Sequence, residues 1–392
     1  MKVALVASSY LPRPGGLQRH VHELARGLAR RGAHVEVLAL GAGRGVPRLT
    51  EYEGVIIRRF PIVVGPRRLV AAPGLWARLR VAAATFDVAD VHTARTPLAL
   101  AVARAGFGRI VFTPHAPVQR LVRWHAHATR IVVGDAAQII CRSRVEADLL
   151  RGRFPWAAHR IQVVPTGVDA AGIRAARPFP GRGTVVLTVG RLERHQRVDR
   201  AIAAMASLDP SYRLVVVGNG PSRHRLHAYA ADLQVSSCVE FVGSVPDGDL
   251  YRWLRTGRVL VALAEQSDSG LQVTEALAAG AAVVASDIPV HREAASGVAG
   301  ARVIFVSPEG SPIEVADAIS EAASLGVRPE AEMANLAVPS WDSVVSRMLE
   351  LYETVIPAGP PAVAEPNGSA AKLPARTSSP QAVDAHDLTV HG

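Results

Sequence analysis

The chain has 392 residues, of which 49% are apolar, and its mean hydropathy of +0.17 is typical of a well-buried globular protein. This length exceeds one typical hydrophobic core, so we expect two domains. No apolar run reaches the ~18–20 residues of a membrane span, and the short apolar run at the N-terminus predicts a buried strand, not a signal peptide. Cys141 and Cys238 are far apart and lack metal-ligand spacing, which favours reduced thiols in a cytoplasmic protein.

Positive charge is concentrated in the first half of the chain. Residues 1–170 contain 25 Lys and Arg against 10 Asp and Glu, whereas the whole chain has a formal net charge of +10. A basic N-terminal half favours anionic partners, such as phosphorylated acceptors, acidic glycans or an anionic membrane surface. Nucleic acid is not favoured, because no recognition motif is present and aromatic residues make up only 5% of the chain.

Strand and helix patterns alternate through the first half. Lys2–Ser8 predicts a strand, and Leu17–Arg31 predicts a helix with one apolar face that ends at Gly32. Further strands are predicted at Gly54–Phe60 and at four other segments: His34–Leu40, Asp87–His92, Arg109–His115 and Ile161–Asp169. The apolar segment 130–143 continues the pattern.

A second alternating half follows the segment Ala170–Gly183, whose Pro, Gly and Arg residues predict a linker. The strands predicted there are Thr184–Gly190, Arg213–Pro221, Val239–Pro246, Arg258–Ala264, Ala281–Ala285 and Arg302–Pro308. Trp341–Ile356 predicts an amphipathic helix. Residues 357–392, rich in Pro, Ala and Ser, predict a disordered tail.

The alternation predicts the fold class. Strands that alternate with helices form parallel sheets covered on both faces. We therefore predict an α/β protein with two doubly wound, Rossmann-like domains, residues 1–169 and 184–340, facing a central cleft. Ligands of such sheets bind at the carboxyl ends of the strands, so the turns after the strands should line that cleft.

The most informative segment is Gly270–Ser286, GLQVTEALAAGAAVVAS. It predicts a loop that enters a short helix, a stop at Gly280 and an apolar strand. A helix N-terminus offers unpaired N–H groups to a phosphate, and Glu275, about one turn in, can accept hydrogen bonds from sugar hydroxyls. Together these features suit a nucleotide diphosphate-sugar. The alternative is an ordinary αβ unit with a surface glutamate.

Ten segments form an ordered set of motifs. In the first half they are YLPRPGGLQRHVHELARGLARRGAHVEVLAL, FDVADVH, IVFTPH, CRSRVEADLL and IQVVPTGVD. In the second half they are VGRLERHQRVDRAIAAM, LVVVGNGP, VEFVGSVPDGDL, GLQVTEALAAGAAVVASD and PSWDSVVSRMLELYE. In order and spacing this set resembles the glycosyltransferases of family 4. The resemblance implies the GT-B fold, an acceptor-side first domain, a nucleotide-sugar donor domain and a final helix, residues 341–356, that returns to the first domain.

The resemblance also implies roles for individual residues. Gly15 and Gly16 would let the backbone approach the donor phosphates or the acceptor, unless they simply form a tight turn. His115 would stand beside the transferred sugar, Arg191 would pair with the diphosphate, and Glu275 would hold the ribose hydroxyls. His115, Arg191 and Glu275 are the implied catalytic residues. The backbone amides that would cradle the phosphates are those near Ser269, Gly270 and Leu271.

Two positions depart from the family pattern. Ser267 replaces a glutamate that normally contacts the donor sugar, and Gln196 replaces a lysine that neutralises the diphosphate. The neighbours that could substitute after a change of register are Arg197 for the lysine and Glu265 or Asp268 for the glutamate. Loss of a phosphate cation from a shielded site costs on the order of 2–4 kcal/mol of transition-state stabilisation.

We therefore expect a retaining glycosyltransferase that moves a hexose from a nucleotide-diphosphate sugar to a glycan or lipid-linked acceptor in cell-envelope or polysaccharide synthesis. The resemblance implies that no metal ion or other cofactor is needed, because in retaining enzymes of this fold the donor phosphate is thought to accept the acceptor's proton. The two departures keep open a weak or inactive homologue that acts as a binding or partner subunit. A sugar-nucleotide epimerase on the same fold is a further alternative.

The segment Pro66–Arg80, PRRLVAAPGLWARLR, mixes basic and apolar residues. This composition suits an anionic bilayer surface, so we expect peripheral contact with the inner face of the plasma membrane. A helix packed on the sheet with solvated arginines is the alternative. The residues expected to form this acceptor or membrane surface are Arg67, Arg68, Trp76, Arg78, Arg120 and Arg123.

Overall fold

A computed structural model describes residues 1–12, 15–41, 46–64, 70–93, 96–115, 126–267 and 269–356. The strands are β1 (Lys2–Ala7), β2 (His34–Leu40), β3 (Leu49–Tyr52), β4 (Val55–Phe60), β5 (Val63–Val64), β6 (Val70–Ala71), β7 (Val88–Thr93), β8 (Ile110–Pro114), β9 (Gln138–Cys141), β10 (Ile161–Val163), β11 (Thr184–Val189), β12 (Tyr212–Val217), β13 (Val239–Gly243), β14 (Val259–Ala262), β15 (Ala282–Ser286) and β16 (Val303–Val306).

The α-helices alternate with these strands. They are α1 (Gly16–Arg30), α2 (Pro73–Thr85), α3 (Thr96–Arg104), α4 (Ala126–Asp135), α5 (Arg144–Arg153), α6 (Ala170–Ala175), α7 (Val198–Ala204), α8 (Arg223–Asp232), α9 (Asp247–Thr256), α10 (Leu271–Ala278), α11 (Pro289–Ser296), α12 (Pro312–Ser324), α13 (Glu330–Ala334) and α14 (Trp341–Val355). Short 3-10 helices occupy Pro155–Arg160, Arg194–Gln196, Met205–Ser207 and Ser236–Cys238.

The first lobe is built on an eight-stranded sheet with the order β10-β9-β8-β7-β1-β2-β4-β3. Its central strand β1 is buried from Val3 to Ala7, because helices cover both faces of the sheet. Every pairing is parallel except that of β3 with β4. The sequence analysis did not predict β3, an edge strand that exposes Leu49 and Tyr52 and so lacks an apolar run. Segment 130–143, which we expected to continue the strand pattern, holds the end of α4 and only the short strand β9.

The second lobe is built on a parallel six-stranded sheet with the order β13-β12-β11-β14-β15-β16. Apolar side chains pack on both of its faces. Helix α6 lies within the segment predicted as a linker; Asp169 caps it by accepting a hydrogen bond from the Gly172 amide at 2.9 Å. Ile173 of α6 is fully buried in the same cluster as Trp253, so this helix packs on the second lobe.

The final helix α14 returns to the first lobe, as the family resemblance implied. It buries Val344, Val345, Met348, Leu351 and Tyr352 in the cluster that also contains the apolar face of α1. The chain crosses between the lobes beside this helix, where Val168 N donates to Pro339 O at 2.7 Å. Within the described residues, no helix has both the length and the apolar character needed to cross a bilayer.

Candidate functional site

The loops that follow β11 and β12 are packed against each other at the carboxyl edge of the second sheet. The amide of Gly190 donates to Val217 O at 2.9 Å, and the amide of Leu192 donates to Asn219 O at 3.1 Å. A Cβ atom on Gly218, which has φ +134°, would lie 1.8 Å from Gly190 O. Only glycine therefore fits at position 218, and this contact fixes the loop that carries Arg191.

Arg191 adjoins the first turn of α10. A Cβ atom on the preceding Gly190 would lie 2.5 Å from Gln272 Nε2, a side chain of that turn. The Arg191 side chain is 71% exposed, and its Nε lies 2.7 Å from Glu193 Oε1. An exposed guanidinium beside a helix N-terminus is an arrangement that attracts a diphosphate.

The start of α10 has a backbone that requires glycine. Gly270, the N-cap residue, adopts the left-handed conformation with φ 58° and ψ 19°, and a Cβ there would lie 2.6 Å from Ala294 Cβ. Ser267 Oγ accepts a hydrogen bond from the Gly270 amide at 3.3 Å. Ser267 thus shapes the loop at the helix entrance, together with Ser269 and Leu271, which flank Gly270 on either side.

Glu275 is buried, and an arginine from the opposite lobe contacts it. Arg19 Nη1 of α1 donates to Glu275 Oε1 at 2.8 Å, and Arg19 Nη2 donates to Tyr251 OH at 2.7 Å. Arg19 Nε also lies 3.6 Å from Asp247 Oδ2. Burial raises the pKa of Glu275, and the positive charge of Arg19 opposes that shift. Arg19 was not predicted from the sequence, because its partner lies 256 positions away.

The two departures from the family pattern are occupied by residues that pair locally. Gln196 Nε2 lies 3.0 Å from His195 Nε2. Arg197, in the left-handed region with φ 50°, donates from Nη1 to Glu265 Oε1 at 2.7 Å. This hydrogen bond is the main cause of the raised pKa of Arg197. The two expected substitutes, Arg197 and Glu265, are therefore bound to each other, while Asp268 lies outside the described residues.

Three histidines converge at the carboxyl edge of the first sheet. His92 Nδ1 lies 3.2 Å from His115 Nε2, and His20 of α1 stands with its ring centroid 5.5 Å from that of His92 and 5.0 Å from that of His115. Burial lowers the pKa of His20 and of His115 well below the ordinary value, so both are neutral at pH 7. His115 was singled out from the sequence, whereas His20, on a helix face, was not.

Gly15 and Gly16 lie where α1 begins. Gly15 is the N-cap, with the extended backbone φ 160°, and a Cβ on it would lie 2.4 Å from Gln18 Oε1. Among the described residues, no atom outside the backbone of α1 and the neighbours of Gly16 lies within 4 Å of a Cβ added there. The backbone at Gly16 is therefore open to approach, four positions or fewer from Arg19 and His20.

The expected membrane surface is described only in part. Trp76 of α2 is 43% exposed. Arg78 binds the buried Glu36 through Nε at 2.9 Å and Nη2 at 2.5 Å, and Arg58 Nε donates to the same carboxylate at 2.6 Å. Arg78 thus neutralises a buried charge. The other members of this predicted surface, Arg67, Arg68, Arg120 and Arg123, lie outside the described residues.

Comparison with known proteins matches both lobes. Residues 14–171 match the family described as Glycosyltransferase Family 4, and residues 169–335 match Glycosyl transferases group 1. A phosphatidyl-myo-inositol mannosyltransferase of Mycobacterium leprae is 26% identical over an alignment of 398 positions. This alignment covers 92% of this chain and 98% of that protein. D-inositol 3-phosphate glycosyltransferase 1 of Catenulispora acidiphila is 28% identical, covering 88% of this chain and 92% of the relative.

Solved structures show the same fold. Anabaena Alr3699/HepE, crystallised with UDP and glucose, has a TM-score of 0.69 at 18% identity and covers 90% of this chain and 100% of its own. Sucrose-phosphate synthase from Thermosynechococcus elongatus has a TM-score of 0.69 at 19% identity, with 90% and 98% coverage. The predicted GT-B fold, two doubly wound lobes with a returning C-terminal helix, is confirmed.

Proposed function

Because the chain belongs to the glycosyltransferases of the family 4 and group 1 type, we propose that it is a retaining enzyme that uses a nucleotide-diphosphate sugar. It transfers a hexose from that donor to a glycan or lipid-linked acceptor. A single observation carries this proposal: Arg191, the start of α10 and Glu275 lie together at the carboxyl edge of the second sheet, opposite Arg19 of the first lobe.

This arrangement matches the charge that develops when the donor bond breaks. The leaving nucleoside diphosphate gains negative charge on its β-phosphate, and the sugar becomes oxocarbenium-like. The Arg191 guanidinium and the amides at the entrance of α10 stabilise the leaving group, since fixed donors in a shielded site need no reorganisation during the reaction. Glu275 holds the ribose hydroxyls once Arg19 yields one of its contacts. The binding of UDP by Alr3699/HepE supports a nucleotide donor here.

The first lobe supplies the opposite wall of the site. His115 stands beside the transferred sugar, and the open backbone at Gly16 admits the donor phosphates or the acceptor. The names of the two relatives, which both refer to inositol, support an anionic acceptor of the inositol phosphate or phosphatidylinositol kind. The excess of basic residues in the first half suits such an acceptor. Transfer requires no metal ion, because the donor phosphate accepts the acceptor's proton.

The altered donor pocket still contains a positive and a negative side chain, but both lie at positions shifted along the chain relative to the family pattern. Arg197 and Glu265 form an ion pair close to the positions at which the resembling family has its lysine and glutamate. Arg197 compensates for Gln196 when the diphosphate draws it from Glu265, and the released Glu265 carboxylate then faces the sugar in place of Ser267. This exchange explains how the two departures occur together in an active enzyme.

The experiment is a thermal-shift panel of nucleotide sugars, followed by a transfer assay with inositol phosphates and phosphatidylinositol. A ligand that binds only the folded chain at 100 times its Kd stabilises it by about 2.7 kcal/mol, so one donor base and sugar should stand out. Proton NMR of the product then reads the anomeric configuration, which we expect to match that of the donor. If no nucleotide sugar stabilises the chain and none is turned over in the transfer assay, the proposal is rejected and an inactive homologue acting as a partner subunit is favoured.

A further inference from the structure

The three histidines described above form one compact cluster, which we call the histidine cluster: His20, His92 and His115. Each ring offers one nitrogen, and these three nitrogens all lie within 4.8 Å of one another. The ring centroids are 5.0 to 5.5 Å apart. The residues come from α1 and from the ends of β7 and β8, so the fold, and not a local sequence motif, brings them together.

The separations fit a shared metal ion. Zinc binds imidazole nitrogens at about 2.0–2.1 Å with tetrahedral angles, which places two ligand nitrogens about 3.3 Å apart. His92 Nδ1 and His115 Nε2 are 3.2 Å apart. The third nitrogen, from His20, lies within 4.8 Å of the other two, so it needs to approach by up to about 1.5 Å, which a rotation of the imidazole ring supplies.

His20 also has a buried nitrogen that lacks a partner. Its side chain is 6% exposed, and Nδ1 makes no hydrogen bond within the described residues. Buried polar atoms nearly always have a partner, and an unpaired one in a native protein needs an explanation. A bound ion gives such a nitrogen its partner, because a neutral imidazole donates its lone pair to a metal.

A buried carboxylate, Asp90, lies beside the histidine cluster, as carboxylates often do beside zinc-bound histidines. Asp90 is fully buried, and its Oδ2 lies 3.1 Å from His92 Nε2, the ring nitrogen that does not face His115; in the described residues the two atoms are close but form no hydrogen bond. Tyr352 OH donates to Asp90 Oδ2 at 2.5 Å, and Thr113 Oγ1 donates to Oδ1 at 3.3 Å. A carboxylate that receives the second N–H of a metal-bound histidine orients the ring and raises its basicity. After burial, the positive charge of Arg142 contributes to the lowered pKa of both His20 and His115.

We propose that the histidine cluster binds one divalent transition-metal ion of the zinc class through His20, His92 and His115. Three histidines leave the fourth tetrahedral position for water or a ligand oxygen. The consequence for transfer rests on the proposed function: an ion bound to His115 occupies the place beside the sugar, so it inhibits the enzyme. The site is thus regulatory, and transfer itself proceeds without metal.

The first test is calorimetric titration of Zn²⁺ into the full chain, stripped of metal and free of any histidine tag. We expect one ion per chain. Asp90→Asn, which keeps the side-chain shape, should weaken binding by about 10–100-fold, and His20→Ala should weaken it further. His224→Ala is the matched control, because His224 is exposed on α8, and it should leave the affinity unchanged.

Co²⁺ provides a second readout that does not depend on the variants folding equally well. Bound by the wild-type chain, it should give the intense visible absorption of tetrahedral coordination, and Zn²⁺ should abolish that absorption by displacement. Circular dichroism checks the fold of each variant. Absence of one-to-one Zn²⁺ binding, or equal affinity in wild type and His20→Ala, would overturn the proposal.

Turnover separates this proposal from the proposed function. In the presence of a donor that is turned over, saturating Zn²⁺ should suppress transfer, and a chelator should restore it. Bound Zn²⁺ with undiminished transfer would overturn the placement of the ion on His115. A chain that turns over no donor refutes the proposed function, whereas the calorimetric and cobalt measurements still decide whether the cluster binds metal.

Discussion

Arg191 combines a fixed backbone with an exposed side chain. Its loop is fixed by the Gly190–Gly218 contact, and its side chain is 71% exposed beside the entrance of α10. An exposed arginine paired only with a neighbouring glutamate contributes little to folding, because surface ion pairs are typically worth about 0–1 kcal/mol. Folding stability therefore does not explain its fixed position, whereas the donor-site role that we propose for it does.

We predict that Arg191→Ala lowers kcat/KM for donor turnover by about 10²–10³-fold, the usual loss for one donor that stabilises a developing oxyanion. The free energy of unfolding should change by less than about 0.5 kcal/mol, as for other surface substitutions. Steady-state kinetics and urea unfolding measure the two quantities. Arg194→Ala, an exposed arginine three residues away, is the control. Similar kinetic losses in both variants would remove Arg191 from the donor site.

Helices α14 and α1 pack so closely that one position of their contact has no room for a side chain and is occupied by glycine. A Cβ on Gly27 of α1 would lie 2.4 Å from Cγ2 of Val345, which is 2% exposed. This contact holds the returning helix on the first lobe, beside Tyr352 and its hydrogen bond to Asp90. A glycine in a helix interior costs up to about 1 kcal/mol relative to alanine, so its presence here reflects the packing.

We predict that Gly27→Ala destabilises the chain in spite of the better helix propensity of alanine, because overpacking typically costs about 1–3 kcal/mol. Gly152→Ala in α5 is the matched control: in the part of the chain that the structure describes, no atom beyond its own helix lies within 4 Å of its added Cβ, so the propensity gain of up to about 1 kcal/mol should appear as stabilisation. Chemical denaturation gives both values. The two substitutions should change the free energy of unfolding in opposite directions. If Gly27→Ala is as stabilising as Gly152→Ala, helices α1 and α14 are not in close contact.

The described residues include two charged contacts between the lobes, apart from the chain crossings. Arg19 of the first lobe binds Glu275, Tyr251 and Asp247 of the second. Glu293 of α11 accepts hydrogen bonds from the backbone amides of Arg144 at 2.6 Å and Val145 at 3.1 Å, at the N-terminus of α5. Charges thus bridge the lobes, and under the proposed function an entering donor competes with Arg19 for Glu275.

We predict that Arg19→Ala shifts the chain toward a more open arrangement of its lobes. Removal of one partner of a buried ion pair costs about 3–5 kcal/mol, which is enough to change the ratio of closed to open molecules by more than about 100-fold. Small-angle X-ray scattering should show a larger radius of gyration. Arg26→Ala is the control, since Arg26 lies on the same helix but pairs with Glu23 and Glu53 of its own lobe. An unchanged radius for Arg19→Ala would mean that this pair does not hold the lobes together.

The amino-acid sequence by itself determined the architecture. The runs that became β1, β2, β11 and β15 are mainly apolar, and such runs between helical patterns specify parallel strands buried on both faces. The periodicity of α14 likewise predicted an apolar face. These signals are local, since they depend on residues within one or two turns of each other. The edge strand β3 escaped prediction for the same reason, because an exposed edge has no apolar run to mark it.

Only the tertiary structure decided which charges meet. Arg19 and Glu275 are 256 positions apart, Arg197 and Glu265 are 68 apart, and the histidine cluster joins one helix to the ends of two strands. The sequence analysis proposed Glu275, Arg197 and His115 individually, but it assigned them no protein partner. A contact between distant residues depends on how the lobes and strands are placed in space. Charged and polar side chains carry no periodic signal of their partner's identity, so their pairing appears only after the chain has folded.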